Sequence, residues 1–146
     1  MPKLLMAIFA ALLFLSPVLG SYLSVTGDRV NLRSQASTQS SVLWTLGKYY
    51  PLKIVRQQGQ WYQVEDFEKD RGWIHNSVVS ASVPSVIVIR DNINVRQSNS
   101  TSSPVLFKTT RGVAYKVLTK RGEWVQVEHA EGHRGWIHRS LVWGNL

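Results

Sequence analysis

The chain has 146 residues, with 17 basic against 9 acidic for a net charge of +8, and it contains no cysteine. Disulfides and cysteine-based hydrolysis are therefore excluded, and the fold must be held by burial alone. The positive excess favours anionic partners at long range without choosing among them.

Residues 1–20 are built unlike the remainder. Lys3 gives a positive start, Leu4 to Leu15 is apolar, and Ser16-Pro17 breaks the run before Val18-Leu19-Gly20. About a dozen apolar residues is short of the ~20 that a bilayer-spanning helix needs, so the segment reads as a secretory signal cut near Gly20 and Ser21. An uncleaved anchor is the alternative, since no Ala-x-Ala triplet fixes the cut; it is the one way this chain is expected to meet a membrane. The mature chain loses only Lys3 among its charges and keeps +7. Peptidoglycan, lipopolysaccharide, phospholipid and nucleic acid are all anionic, and export argues against the last.

From residue 21 onward short alternating runs dominate. Arg29-Val30-Asn31-Leu32-Arg33 and Trp61-Tyr62-Gln63-Val64-Glu65 alternate polar and apolar residues, the pattern of half-buried strands. Between them lie the polar stretch Ser34 to Ser41, then Val42-Leu43-Trp44, Gly47-Lys48, Pro51 to Arg56 and the turn Gln58-Gly59-Gln60. The polar stretch and its later counterpart Gln97 to Ser103 bury little apolar surface and are expected as exposed loops. Val86-Ile87-Val88-Ile89 is apolar throughout and reads as a strand buried on both faces, which calls for two closely apposed domains. No segment has sustained helical periodicity. About five short strands per unit, joined by tight turns, describe a small all-β barrel.

Residues 25–79 recur as 88–142 at a constant offset of 63. Asn31-Leu32-Arg33 becomes Asn94-Val95-Arg96, Gly59-Gln60-Trp61 becomes Gly122-Glu123-Trp124, and Arg71-Gly72-Trp73-Ile74-His75 becomes Arg134-Gly135-Trp136-Ile137-His138. A unit that repeats whole folds whole. The expected organisation is a signal peptide at 1–20, a first domain at 21–80, a linker at 81–85 and a second domain at 86–146.

The order Asn-Leu-Arg-Ser, polar loop, Val-Leu-Trp, Gly-x-Trp-x-x-Val and Gly-Trp-Ile-His resembles the bacterial SH3-like (SH3b) domain, twice over. With Tyr22 to Arg33 after a signal peptide and Leu141-Val142-Trp143-Gly144 at the end, the chain looks like an exported alphaproteobacterial group of such proteins. The resemblance implies a curved antiparallel barrel per repeat and a binding role, often toward cell-wall peptides.

Candidate ligand residues come from the repeat. Tyr62 and Val64 face the interior with Val125 and Val127, so Trp61, Gln63, Trp124 and Gln126 point outward, and these are the same in both copies. An outward indole stacks on sugar or peptide and donates through its N–H; cover by loop residues is the structural alternative. Alternation likewise turns Trp73, His75, Trp136 and His138 outward. His75 and His138 stand where eukaryotic SH3 domains resemble Gly-Tyr-Ile-Pro, so a polar or anionic peptide suits them better than polyproline. Arg71 and Arg134, and Arg33 and Arg96, can each bind a carboxylate through two hydrogen bonds, or pair internally with Glu65 and Glu128 or with Glu68 and Glu131. His129-Ala130-Glu131-Gly132-His133 lacks the zinc-protease order, and the first copy has Asp66 and Asp70 at its histidine positions, so no metal is expected. No nucleophile-elbow serine is present. The chain reads as a noncatalytic exported module without cofactor that binds peptidoglycan peptides or another anionic envelope polymer. The alternative is an adaptor for envelope or host proteins.

Overall fold

The structure is a computed structural model that describes residue 3 and residues 18–146, so the expected signal segment falls mostly outside the described residues. The first unit comprises β1 (Tyr22–Val25), β2 (Val30–Arg33), β3 (Val42–Leu46), β4 (Pro51–Gln58), β5 (Trp61–Glu65), β6 (Arg71–His75), a 3-10 turn (Asn76–Val78) and β7 (Val79–Ser80). The second comprises β8 (Ser85–Val88), β9 (Ile93–Arg96), β10 (Val105–Thr109), β11 (Ala114–Arg121), β12 (Trp124–Glu128), β13 (Arg134–His138), a 3-10 turn (Arg139–Leu141) and β14 (Val142–Gly144). The chain is all-β, in two antiparallel sheets ordered β3-β2-β6-β5-β4-β1-β7 and β10-β9-β13-β12-β11-β8-β14. Seven strand pieces per unit replace the five or so expected. The additional ones include β1, in which Leu23, Ser24 and Val25 are buried in succession without alternation, and β7, which has only two residues.

Alternation sets the interior. Tyr62 and Val64 of β5 are buried with Leu32 and Ile74, and Val125 and Val127 of β12 with Val95 and Ile137, giving each unit its own core. The long strands β4 and β11 carry a bulge at the same place, between Ile54 and Arg56 and between Val117 and Thr119. That irregularity bends each one so that it pairs with the first strand of its unit at one end and with the following strand at the other. The β4–β5 and β11–β12 turns place Gly59 and Gly122 at φ +59° and +56°, where a side chain is strained. Gly72 and Gly135 are retained for a different reason: a Cβ there would lie 2.6 Å from Leu32 Cγ and 2.4 Å from Val95 Cγ1.

The polar loops are tied down. Arg33 Nη1 donates to Ser40 O at 2.8 Å, Ser40 Oγ to Ser37 O at 2.7 Å, and the Ser34 N–H to Ser41 O at 2.9 Å. In the second unit Arg96 Nη1 donates to Ser103 O at 2.9 Å and the Gln97 N–H to Pro104 O at 2.9 Å.

The two units meet along β8, whose four residues are all buried. Val86 and Val88 belong to the second core, whereas Ser85 and Ile87 face outward, are fully covered, and belong to neither core cluster. Ser85 Oγ meets Ser24 Oγ of β1, Ser24 Oγ also donates to Val83 O, and Tyr22 stands edge-on to Trp143 with centroids 5.2 Å apart. Strand β4 touches β8 and β14, with Pro51 close to Gly144. Both faces of the apolar strand are thus buried, one by its own barrel and one by its neighbour. The positions that build this seam differ between copies: Tyr22 corresponds to Ser85, Ser24 to Ile87, Pro51 to Ala114, and Ser80 to Trp143.

Candidate functional site

Strands β5 and β6 set three outward pairs in register, Trp61 with His75, Gln63 with Trp73, and Glu65 with Arg71. Strands β12 and β13 set the same three, Trp124 with His138, Gln126 with Trp136, and Glu128 with Arg134. Each rung behaves differently.

At the first rung Trp61 stands edge-on to His75, with centroids 5.2 Å apart and planes at 83°; Trp124 and His138 repeat this at 5.3 Å and 85°. All four side chains are half-buried. The imidazole has a structural task as well. His75 Nδ1 accepts the Ser77 backbone N–H at 3.2 Å and lies 2.7 Å from Ser77 Oγ, so the ring caps the 3-10 turn. His138 does the same with Ser140, at 3.3 and 2.7 Å. With Nδ1 accepting, Nε2 carries the proton of the neutral ring, and in the first unit it points to Gln60 Oε1 at 3.2 Å. The signal for this cap was present in the sequence as a serine two residues after each histidine.

At the second rung Trp73 and Trp136 face away from the barrel interior yet are only 4% and 8% exposed. The Arg56 guanidinium lies 5.0 Å from the Trp73 ring centroid, and Gln63 Oε1 holds it by accepting from Arg56 Nε at 2.9 Å. Arg121 approaches Trp136 at 5.9 Å. Pointing outward is therefore not the same as being open: a long side chain from β4 or β11, two strands away across β5 or β12, covers each indole. Trp73 and Trp136, expected to point outward as ligand residues, point outward but are closed over.

At the third rung Arg71 Nε lies 3.1 Å from Glu65 Oε2, and Arg134 pairs closely with Glu128. The internal alternative holds for these two arginines, with Glu65 and Glu128 as the partners. Arg33 and Arg96 are engaged instead with loop carbonyls, as above.

Open volume is found around the second indole. Trp124 lines a cavity of about 280 Å³ with Lys120, Gly122, Val125, Arg139 and Leu146, and another of about 260 Å³ with Asn92, Asn94, Arg96, Thr101 and His138 among others. Lys120 and Arg139 correspond to Gln57 and Asn76 in the first unit, so the added positive charge is particular to the second.

The turns beside the rungs diverge in chemistry and agree in construction. Asp66 Oδ1 accepts the Glu68 and Asp70 N–H groups, each at 2.9 Å, and His129 Nδ1 accepts the Glu131 N–H at 3.1 Å. Burial pushes the Asp66 carboxyl above the usual carboxylate range, against the lowering effect of those two hydrogen bonds. Burial also pushes the Tyr50 phenol up, with Asp66, Glu68 and Asp70 adding to it. Tyr115 is raised by burial too, while its O–H donates to Thr109 Oγ1 at 2.7 Å. His129 packs on Tyr115 and His133 on Phe107, with the two imidazoles 6.4 Å apart. Among the described residues no three His, Asp or Glu side chains gather as metal ligands.

The family model of the bacterial SH3 domain matches residues 26–81 and again 90–144. The chain belongs to that family. Among relatives, 66 residues are 30% identical to YrvJ of Bacillus subtilis strain 168, which carries the name of an N-acetylmuramoyl-L-alanine amidase. The match spans 45% of this chain and 13% of YrvJ. A stretch of 52 residues is 31% identical to LytH of Staphylococcus epidermidis, named as a cell wall amidase, over 35% of this chain and 18% of LytH. The SH3 chain therefore spans a small part of these relatives. The solved structure of NlpC2 from Trichomonas vaginalis aligns at a TM-score of 0.40 and 11% identity, over 88% of this chain and 49% of that one. Endolysin LysPBC5 CBD aligns at 0.32 and 17%, over 87% and 95%. Both scores are too low for a common detailed structure to follow from them.

Proposed function

We propose that this tandem SH3 chain is a noncatalytic, exported module that binds peptidoglycan peptides in the cell envelope. The carrying observation is the edge-on Trp–His pair at the same place in both units, which in the second unit borders two open cavities beside Lys120, Arg139 and Arg96. A half-buried indole offers a flat apolar face and an N–H donor. The neighbouring cations suit the carboxylates of a stem peptide. The names of the relatives point to the same polymer, as the matched segments form a small fraction of proteins named for cleaving it. A binding rather than a catalytic role fits His138, whose Nδ1 is committed to capping its own chain.

The test is co-sedimentation of the mature protein with purified sacculi. Wild-type protein is expected in the pellet at low and physiological salt. Trp124→Ala should lower the bound fraction about tenfold, as loss of a central aromatic anchor does, and Trp61→Ala less, because its surroundings lack Lys120 and Arg139. Wild-type protein left in the supernatant, or a Trp61→Ala, Trp124→Ala double variant that sediments as well as wild type, would overturn the proposal.

An adaptor for envelope or host proteins is the second reading, and one observation favours it. Strands β3 and β10 end their sheets and leave Leu43, Trp44 and Leu106 exposed, a surface on which an extended partner segment can pair. Crosslinking in intact cells separates the readings: discrete protein adducts mark an adaptor, and co-fractionation with the sacculus marks a wall binder.

A further inference from the structure

A different cavity, of about 200 Å³, lies at the other end of the first unit and is walled by Trp44, Tyr50 and Phe67. Asp66, Glu68 and Asp70 line it, and Gly112 of the second unit closes one side. Through Tyr50 and Gly112 it adjoins a cleft of about 480 Å³ between the units that holds Asp28 and Glu131 together with Lys48 and His129. Five of the nine acidic residues of a strongly basic chain thus collect around one connected opening.

Three observations say what that opening takes. A cation already sits on its rim: the Arg111 guanidinium, reaching across from the second unit, stacks on Phe67 at 4.9 Å and comes within 3.8 Å of Glu68 Oε2. Asp66 is 7% exposed and its Oδ1 is fully used by two backbone N–H groups, while among the described residues nothing donates to its Oδ2. The same three carboxylates surround Tyr50, whose phenol is pushed up first by burial and then by Asp66, Glu68 and Asp70, with Arg111 opposing. Arg111 offsets one of three carboxylates; Lys69, at the tip of the turn, is exposed and does not line the cavity. Trp44 is 56% exposed, so its ring is available to stack.

We infer that this cavity binds an alkylammonium group presented by a peptide, as on a lysine side chain or the free amine of another diamino acid. Aromatic faces attract the cation through their quadrupoles, and the Asp66 and Asp70 carboxylates accept its N–H groups. Among the described residues this constellation occurs once. The second unit has Phe107, Val113, His129, Ala130 and His133 in place of Trp44, Tyr50, Asp66, Phe67 and Asp70, which leaves it one carboxylate, Glu131. The inference is independent of the Trp61 and Trp124 sites and of what they bind.

The experiment is a titration of the mature chain followed by the tryptophan indole N–H resonances. The probes are Nα-acetyl-lysine amide and its Nε-acetylated form. The amine is expected to shift the Trp44 indole saturably in the millimolar range, leaving those of Trp61 and Trp124 in place, and the Nε-acetylated probe to shift none. Asp66→Asn keeps the Oδ1 acceptor of the turn and removes the charge, and should weaken the amine about tenfold. Trp44→Ala, at an exposed position, should weaken it several-fold with the fold intact. Equal response to both probes, no saturable shift, or unchanged affinity in either folded variant would overturn the inference.

Discussion

An imidazole retained in both copies looks like a ligand residue, and His75 and His138 show a second reason for retention. Each accepts the backbone N–H two residues ahead and caps a 3-10 turn. His75→Ala should cost about 1 kcal/mol of stability in urea denaturation, as loss of a capping acceptor does, and His75→Asn should restore most of it. The alternation of Tyr62 and Val64 against Trp61 and Gln63 was legible because strand period is a local property. Whether an outward residue meets solvent was not. Trp73 is covered by Arg56, which lies on a different strand past a bulge, and only the fold brings that arginine over the ring. Lys120 and Arg139 escaped notice for the same reason: neither is retained between copies, and each reaches Trp124 only through the three-dimensional arrangement.

Among the elements, β6 and β13 show how tightly the sheets close. The glycine of each Gly-Trp pair is what lets β2 and β9 pack against them, since Leu32 and Val95 fill the space a Cβ would need. Gly72→Ala and Gly135→Ala should each destabilise by about 1–3 kcal/mol in chemical denaturation, the cost of overpacking a filled core. Strands β2, β5 and β6 could be read from alternation and the turn glycines from their spacing. Strands β1 and β7 could not: Leu23, Ser24 and Val25 are buried in succession, so β1 has no alternation to show, and the two residues of β7 carry no period and are defined by the partner they pair with.

For the molecule as a whole, the seam decides whether two barrels act as one body. Ile87 replaces the serine of the first copy and is fully buried while facing away from its own core. Ile87→Ser should cost about 2–5 kcal/mol, as removing a buried isoleucine does, and split a single thermal transition into two in calorimetry. That β8 is buried on both faces was visible from its unbroken apolar run, whereas the partner surface, Ser24 with Tyr22 and Pro51, is polar or mixed in sequence and gave no sign. The serine-rich loops mislead in the opposite direction. Their composition is that of flexible chain, yet each is closed by an arginine and its own backbone. Ordering a residue costs about 1–2 kcal/mol in chain entropy, and here that cost is met during folding. If the proposed site beside Trp124 and Thr101 takes a ligand, its wall is already in place, and the association rate is expected to be set by encounter and desolvation without a loop-closure step.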